Sequence, residues 1–289
     1  MSNYRIYTDS ACDITPELLA EWGVDFSPLT FRFNDSEREY SNNDMSVSEF
    51  YEKMRAGGVA KTAAVNKATF EAAFRKILSA GDDVLYIGFS SGLSTTYNSG
   101  RLAAEELKSE FPERKIITVD TLAASAGMGL IVYLTVKKKE EGATIEEAAD
   151  YAKELIPKLC HWFTVDDLVY LKRGGRISSA AAFVGNLLGI KPVLHVDDEG
   201  HLINISKVRG RKTAVATLAD KYGELAVCAS EGTIFISHAD CRKDAEELAS
   251  IMKTKYGAPD VKLITDVGTV IGAHSGPGTL ALFFIGKNR

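Results

Sequence analysis

Hydroxyl groups crowd one short stretch of this sequence. Between Gly88 and Gly100 lie Ser90, Ser91, Ser94, Thr95 and Thr96, after an apolar run that reads as a strand and before a pattern that reads as a helix. At the carboxyl end of a strand in an open α/β sheet, free amides and a helix N-terminus offer donors to an anion, and hydroxyls add to them. A Ser/Thr-rich turn that merely caps the helix would look the same. Gly88 to Gly92 also fits G-x-S-x-G, which would make Ser90 the nucleophile of an esterase or thioesterase with His274 as its base. Against that chemistry, no H-G-G-G-type segment lies upstream to supply an oxyanion hole. The polar run also continues to Thr96, where a nucleophile elbow would enter its helix directly.

Two further segments carry polar groups in shaped loops. Leu171 to Ile177 sets Lys172, Arg173 and Arg176 around Gly174 and Gly175, and Ser178 follows as a cap for the apolar stretch Ala180 to Leu188. Arg176 can be held inward toward a ligand, or pin its loop by bonding carbonyls. His274 lies among Gly272, Gly276, Pro277 and Gly278, so a rigid loop open to close backbone approach is expected around it. His161, His195, His201 and His238 show no histidine or acidic partner pattern and read as structural or surface residues. Lys207 to Lys212 is a basic cluster in an acidic chain, suited to an acidic partner or to a solvated face. Asp9 reads as a cap. Gly276 to Ala281 matches G-x-G-x-x-A but leads into a strand, so a dinucleotide site is discounted, and no metal-binding pattern occurs.

The elements that must carry these residues follow from periodicity. Tyr4 to Tyr7, Val84 to Gly88 and Ile116 to Val119 read as strands. Thr15 and Pro16 open one helix. Ser46 to Glu49 forms a capping box for a second, stopped by Gly57 and Gly58. A third begins near Asn66 and carries Phe70, Phe74, Ile77 and Leu78, and further helices are expected from Thr96 to Phe111 and from Ala123 to Lys139. Such alternation predicts an open, mostly parallel sheet. A capping box at Thr144 to Glu147 opens a helix ending near Pro157, and the boundary between two domains is placed there. Beyond it, Val193 to Val196 and Leu202 to Ile205 form a hairpin around the acidic turn 197–200. Helices near 212–225 and 240–256 flank a strand at Thr233 to Ser237, and two closing strands flank the loop with His274. The second domain reads as α+β.

Composition narrows the functions. The 289 residues are 45% hydrophobic and 25% charged, the mix of a folded globular protein. A formal charge of -5 argues against a nucleic-acid partner. Four scattered cysteines suit reduced thiols, and the opening residues lack a basic segment running into an apolar one, so a cytoplasmic location is expected.

Taken together, Thr8 to Ser10, Ser90 to Ser94, Gly174 to Ile177, Gly189 to Pro192, Val208 to Lys212 and His274 to Gly278 resemble, in kind and order, the motifs of the DegV family of bacterial proteins. The resemblance spans nearly the whole chain. It implies an α/β, two-domain architecture: an N-terminal α/β/α domain with a mostly parallel sheet at 1–157, and a C-terminal α+β domain at 158–289. A buried tunnel between them would hold one long-chain fatty acid, with no other cofactor and no metal. The implied work is presentation of the acid's carboxylate to a fatty acid kinase, which makes an acyl phosphate for phospholipid synthesis; the chain itself would have no catalytic turnover. By position, Thr62 and Ser94 would hydrogen-bond the carboxylate, Arg176 and His274 would complete the polar network, and Arg209 would face the kinase. The family's usual Thr-Ser before a proline is here Thr62, Ala63, Ala64 and Val65, and its Ser-Gly-Thr is Ser94, Thr95 and Thr96, which adds a side chain beside the head group. Ala123 to Leu134 and Ala180 to Leu188 are candidate tunnel walls, or ordinary core.

Overall fold

The computed structural model describes residues 3–42, 44–178 and 189–289. The first half is built of β1 (Tyr4–Asp9), α1 (Pro16–Glu21), β2 (Val24–Ser27), β3 (Thr30–Phe33), β4 (Tyr40–Ser41), α2 (Val47–Arg55), β5 (Ala60–Ala63), α3 (Lys67–Ser79), β6 (Asp83–Gly88), α4 (Thr96–Glu110), β7 (Ile116–Asp120), α5 (Ser125–Glu140) and α6 (Ile145–Leu155). The second half comprises β8 (Leu159–Thr164), α7 (Val169–Arg173), β9 (Ile190–Val196), β10 (Leu202–Arg209), α8 (Arg211–Leu225), β11 (Ile234–His238), α9 (Arg242–Tyr256), β12 (Leu263–Asp266), α10 (Thr269–Ser275) and β13 (Leu280–Ile285).

Among the described residues the strands form three sheets. Four parallel strands run β2-β1-β6-β7, the expected N-terminal sheet. Six mostly antiparallel strands run β10-β9-β8-β13-β11-β12, with β11 and β12 parallel. A small antiparallel sheet, β4-β3-β5, was not foreseen, although Leu29, Phe31 and Phe33 alternate inward as a half-buried strand requires. Phe31 and Phe33 of this sheet pack with Phe50 and Tyr51 of α2, in one cluster with Val267 and Ala273 from the second half of the chain. The fold is therefore mixed α/β, a parallel N-terminal sheet followed by an α+β portion.

Helix α5 joins the two large sheets. It is buried on nearly all sides, as a helix apolar around its circumference must be, and it touches β1 on one side and β8, β11 and β13 on the other. Glycines make that approach possible: a β-carbon on Gly127 would stand 2.6 Å from Phe283, and one on Gly129 would stand 2.6 Å from Ile14. Most of Ala123 to Leu134 is thus core, and only Ala124 and Ser125 of that stretch reach the cavity described below. The other candidate wall, Ala180 to Leu188, lies outside the described residues, as does any cap that Ser178 makes for it.

The polar ends of the parallel strands are tied by side chains. Asp9 accepts from the amides of Ala11 (3.2 Å) and Phe89 (3.0 Å) and from the Tyr86 hydroxyl (2.9 Å). It caps, as expected, and also fixes the start of the Ser/Thr loop. Thr144 and Glu147 form a full capping box, whereas at α2 only Ser46 caps; Glu49 turns to Lys53 instead, at 3.5 Å.

Candidate functional site

Thr62, Ser94, Arg176 and His274, far apart in sequence, all line one cavity of about 520 Å³ between the large sheets. Thr62 arrives on β5, held by pairing with Phe31 of β3. Its Oγ1 lies 2.8 Å from His274 Nε2. His274 sits in the helix α10 rather than in the glycine loop, which begins one residue after it ends; Gly272 is accepted in that helix because the Tyr51 ring occupies the space a side chain would take. The Tyr51 hydroxyl donates to the Val267 carbonyl at 2.7 Å and locks the segment entering α10.

Ser94 Oγ accepts from the Thr96 amide (3.2 Å) and is hydrogen-bonded to Thr96 Oγ1 (2.9 Å) at the start of α4. Arg176 follows α7. Its Nε donates to the Leu93 carbonyl at 3.2 Å and one terminal nitrogen to the Gly174 carbonyl at 2.5 Å, so it pins its loop and lines the cavity at once. Gly174 lies flat against the imidazole: a β-carbon there would fall 2.1 Å from His274 Nδ1.

The electrostatics are uneven. Burial, followed by the nearby Arg176 charge, pushes the His274 imidazole down to about 4, so at neutral pH the ring carries no charge. Arg176 is half-buried and lowered by burial alone, and it has no carboxylate partner among the described residues. A lone cation therefore stands beside neutral donors at one end of the cavity. Leu93, Arg176 and Leu202 also edge a shallower depression with Gly175 and His201, so this end meets the surface. Inward, the lining turns apolar, with Leu29, Phe89, Phe163, Val270 and Phe283.

Ser90 does not join this group. It is fully buried, donates to the Gly200 carbonyl at 3.0 Å and does not line the cavity, while His274 Nε2 is engaged by Thr62. The nucleophile–base pair of a hydrolase is not formed. Arg209 is exposed at the end of β10, away from the cavity lining.

Over this frame, residues 3–287 match a family model described as an uncharacterised protein of the DegV family. The chain belongs to the DegV family. A DegV domain-containing protein of Clostridium perfringens is 42% identical over 292 residues, covering 100% of this chain and 99% of that protein. Among solved structures, a DegV lipid-binding protein from Thermotoga maritima superposes with TM-score 0.85 at 31% identity, covering 99% of each chain. A DegV family protein from Thermus thermophilus, described by its fatty acid binding, gives TM-score 0.88 at 29% identity, covering 98% of this chain and 99% of that one.

Three histidines of this DegV chain add to the sequence reading, and one of them, His201, has the i, i+4 acidic neighbour that the reading denied. His161, on β8, lines the cavity from a fully buried position. His238 stands 3.4 Å from Asp266 across paired β11 and β12, and His201 lies 3.7 Å from Asp197 across the hairpin turn, an i, i+4 acidic neighbour. Ser125, within the stretch read as a tunnel wall or core, lines the cavity, and Ser237, in an apolar strand, was missed as a lining residue. Among the described residues no helix is long and apolar enough to cross a membrane, and no cluster of three metal-ligating side chains occurs.

Proposed function

We propose that this chain binds one long-chain fatty acid in the cavity, carboxylate toward Thr62, Ser94, Arg176 and His274, and presents that carboxylate to a fatty acid kinase. The observation that carries the reading is the half-buried Arg176, unpaired by any carboxylate among the described residues, at one end of a cavity whose lining is otherwise uncharged and largely apolar. A buried anion needs charge or hydrogen bonds, and an acid arriving with its own negative charge supplies what Arg176 lacks. If His274 donates from Nε2 to Thr62 Oγ1, the threonine hydrogen is free to point at a carboxylate oxygen.

The alkyl tail supplies affinity. Burying about fifteen methylenes at roughly 0.8 kcal/mol each contributes on the order of 12 kcal/mol before ordering costs, enough for tight non-covalent binding. The cavity volume falls within the range of roughly 300 to 1,000 Å³ usual for sites that enclose such ligands. Relatives described as lipid-binding and fatty-acid-binding share the fold over nearly their full length. With Ser90 bonded to a carbonyl and His274 to Thr62, these two residues form no nucleophile–base pair, and phosphorylation of the acid is assigned to a partner that reaches the open polar end. The exposed Arg209 is the contact assigned to that partner.

Native mass spectrometry of protein purified from bacteria tests the reading. A mass increment matching one long-chain acid, exchangeable with added acid, is the expected result; protein that stays empty in excess acid rejects it.

A further inference from the structure

The apolar stretch of the cavity is interrupted by polar groups that the head-group site does not use. His161 is 1% exposed, lines the cavity, and has no hydrogen-bond partner for either ring nitrogen among the described residues. Burial holds it neutral, so one nitrogen carries a hydrogen and the other a lone pair. The Ser275 hydroxyl, 5% exposed and also lining the cavity, is likewise unpartnered.

Beside them runs a short relay. Ser125 Oγ donates to Asp13 Oδ2 at 2.5 Å and lies 2.9 Å from Ser237 Oγ. With the Ser125 hydrogen committed to the carboxyl group, Ser237 donates to Ser125 and keeps its own oxygen as an acceptor at the cavity wall. Sheet register and helix packing put the relay and the imidazole on one surface. His161 pairs with Phe283 across β8 and β13, and Ser237 pairs with Ala281, two residues from Phe283 on the same face. The first turn of α5 covers both: Gly127 lies against Phe283 and His161, while Ser125 reaches Ser237. Asp13 (φ 52°) and Ser125 (φ 54°) both hold the left-handed backbone conformation, a strain that persists where the surroundings fix it.

A saturated alkyl chain offers these groups nothing. Sites built to hydrogen-bond a substrate hydroxyl discriminate strongly against the analogue without it, because their own buried groups are left unpaired. We infer that His161, with Ser237 on the same face of the sheet and Ser275 elsewhere in the same lining, recognises an oxygen on the acyl chain, so that the preferred ligand is a long-chain acid bearing a hydroxyl or keto group besides its carboxylate. The inference rests on the acid-binding reading above and narrows its ligand class.

Competition binding to the full chain, with octadecanoic acid against a series of hydroxyoctadecanoic acids differing in hydroxyl position, tests it. At least one hydroxylated acid should bind fivefold or more tighter than octadecanoic acid. That preference should fall below twofold in His161→Phe, or in Ser237→Ala should the larger change prevent folding. Octadecanoic acid binding as well as every hydroxylated acid overturns the inference while leaving acid binding intact, and so does a preference that survives both substitutions. Failure of every acid to bind overturns the acid-binding reading itself.

Discussion

Gly174 and His274 are packed so closely that a single methyl group between them would fall 2.1 Å from the imidazole Nδ1. Gly174 has an ordinary helical backbone (φ -74°), so glycine is required there by the neighbouring ring and not by conformation. Gly174→Ala should therefore displace His274 and its contact with Thr62. Acid affinity is expected to fall at least tenfold while stability drops by only about 1 to 3 kcal/mol, the usual cost of overpacking. Isothermal titration alongside denaturant unfolding separates the two, and unchanged affinity would refute the role given to this contact.

Thr62→Ala and Ser94→Ala each remove one hydroxyl from the head-group end. Loss of a donor to a buried carboxylate costs about 1 to 3 kcal/mol, roughly a 5- to 150-fold weaker dissociation constant. Fluorescent fatty-acid displacement reads this directly. Wild-type affinity in both variants removes the assignment.

The His274 imidazole gives a signed pH dependence. Its folded value of about 4 lies below the ordinary 6.5, so between these values the unfolded chain carries the extra proton. The stability tied to the neutral ring is complete above 6.5 and is lost as pH falls toward 4, by up to about 3 kcal/mol. Asp9 and Asp13, raised by burial to about 6 and about 7, act oppositely, since their ionisation weakens the fold as pH rises from 3.8 through those values. Urea unfolding of the parent and of His274→Gln at pH 7, 5.5 and 4 isolates the histidine. The parent's advantage should shrink at each step, and a pH-independent difference would count against the buried neutral ring.

Arg209→Glu places a charge of the wrong sign on an exposed strand end. Acid binding is expected to be unchanged, and acyl-phosphate formation with the kinase to fall several-fold, most strongly at low salt where surface charge is least screened. Equal turnover at all salt concentrations would dismiss the contact.

The parallel sheet and its helices were legible because apolar periodicity and capping residues are local: Thr15, Ser46, Asn66 and Thr144 each cap the helix they precede. The strand that delivers Thr62 was not. Ala60 to Ala63 is short and has no apolar pattern, and it becomes a strand only because β3, about thirty residues earlier, offers a partner. His274 was misplaced for a related reason: glycines flank α10, and the Tyr51 ring that makes Gly272 tolerable in a helix is more than two hundred residues away. His161 read as a structural or surface residue because no histidine or acidic partner stands four residues from it, and the fully buried strand that carries it, Leu159–Thr164, was not foreseen. Which neighbours leave its nitrogens without partners is a property of the assembled sheet.

Thr62 and His274 meet only after synthesis has passed position 274, since 212 residues separate them. On the proposed acid-binding reading, a ribosome-bound intermediate that has not yet folded α10 has no complete head-group site. Occupancy would then act as a late checkpoint on biogenesis, making cargo-filled molecules harder for cellular proteases to open than empty ones.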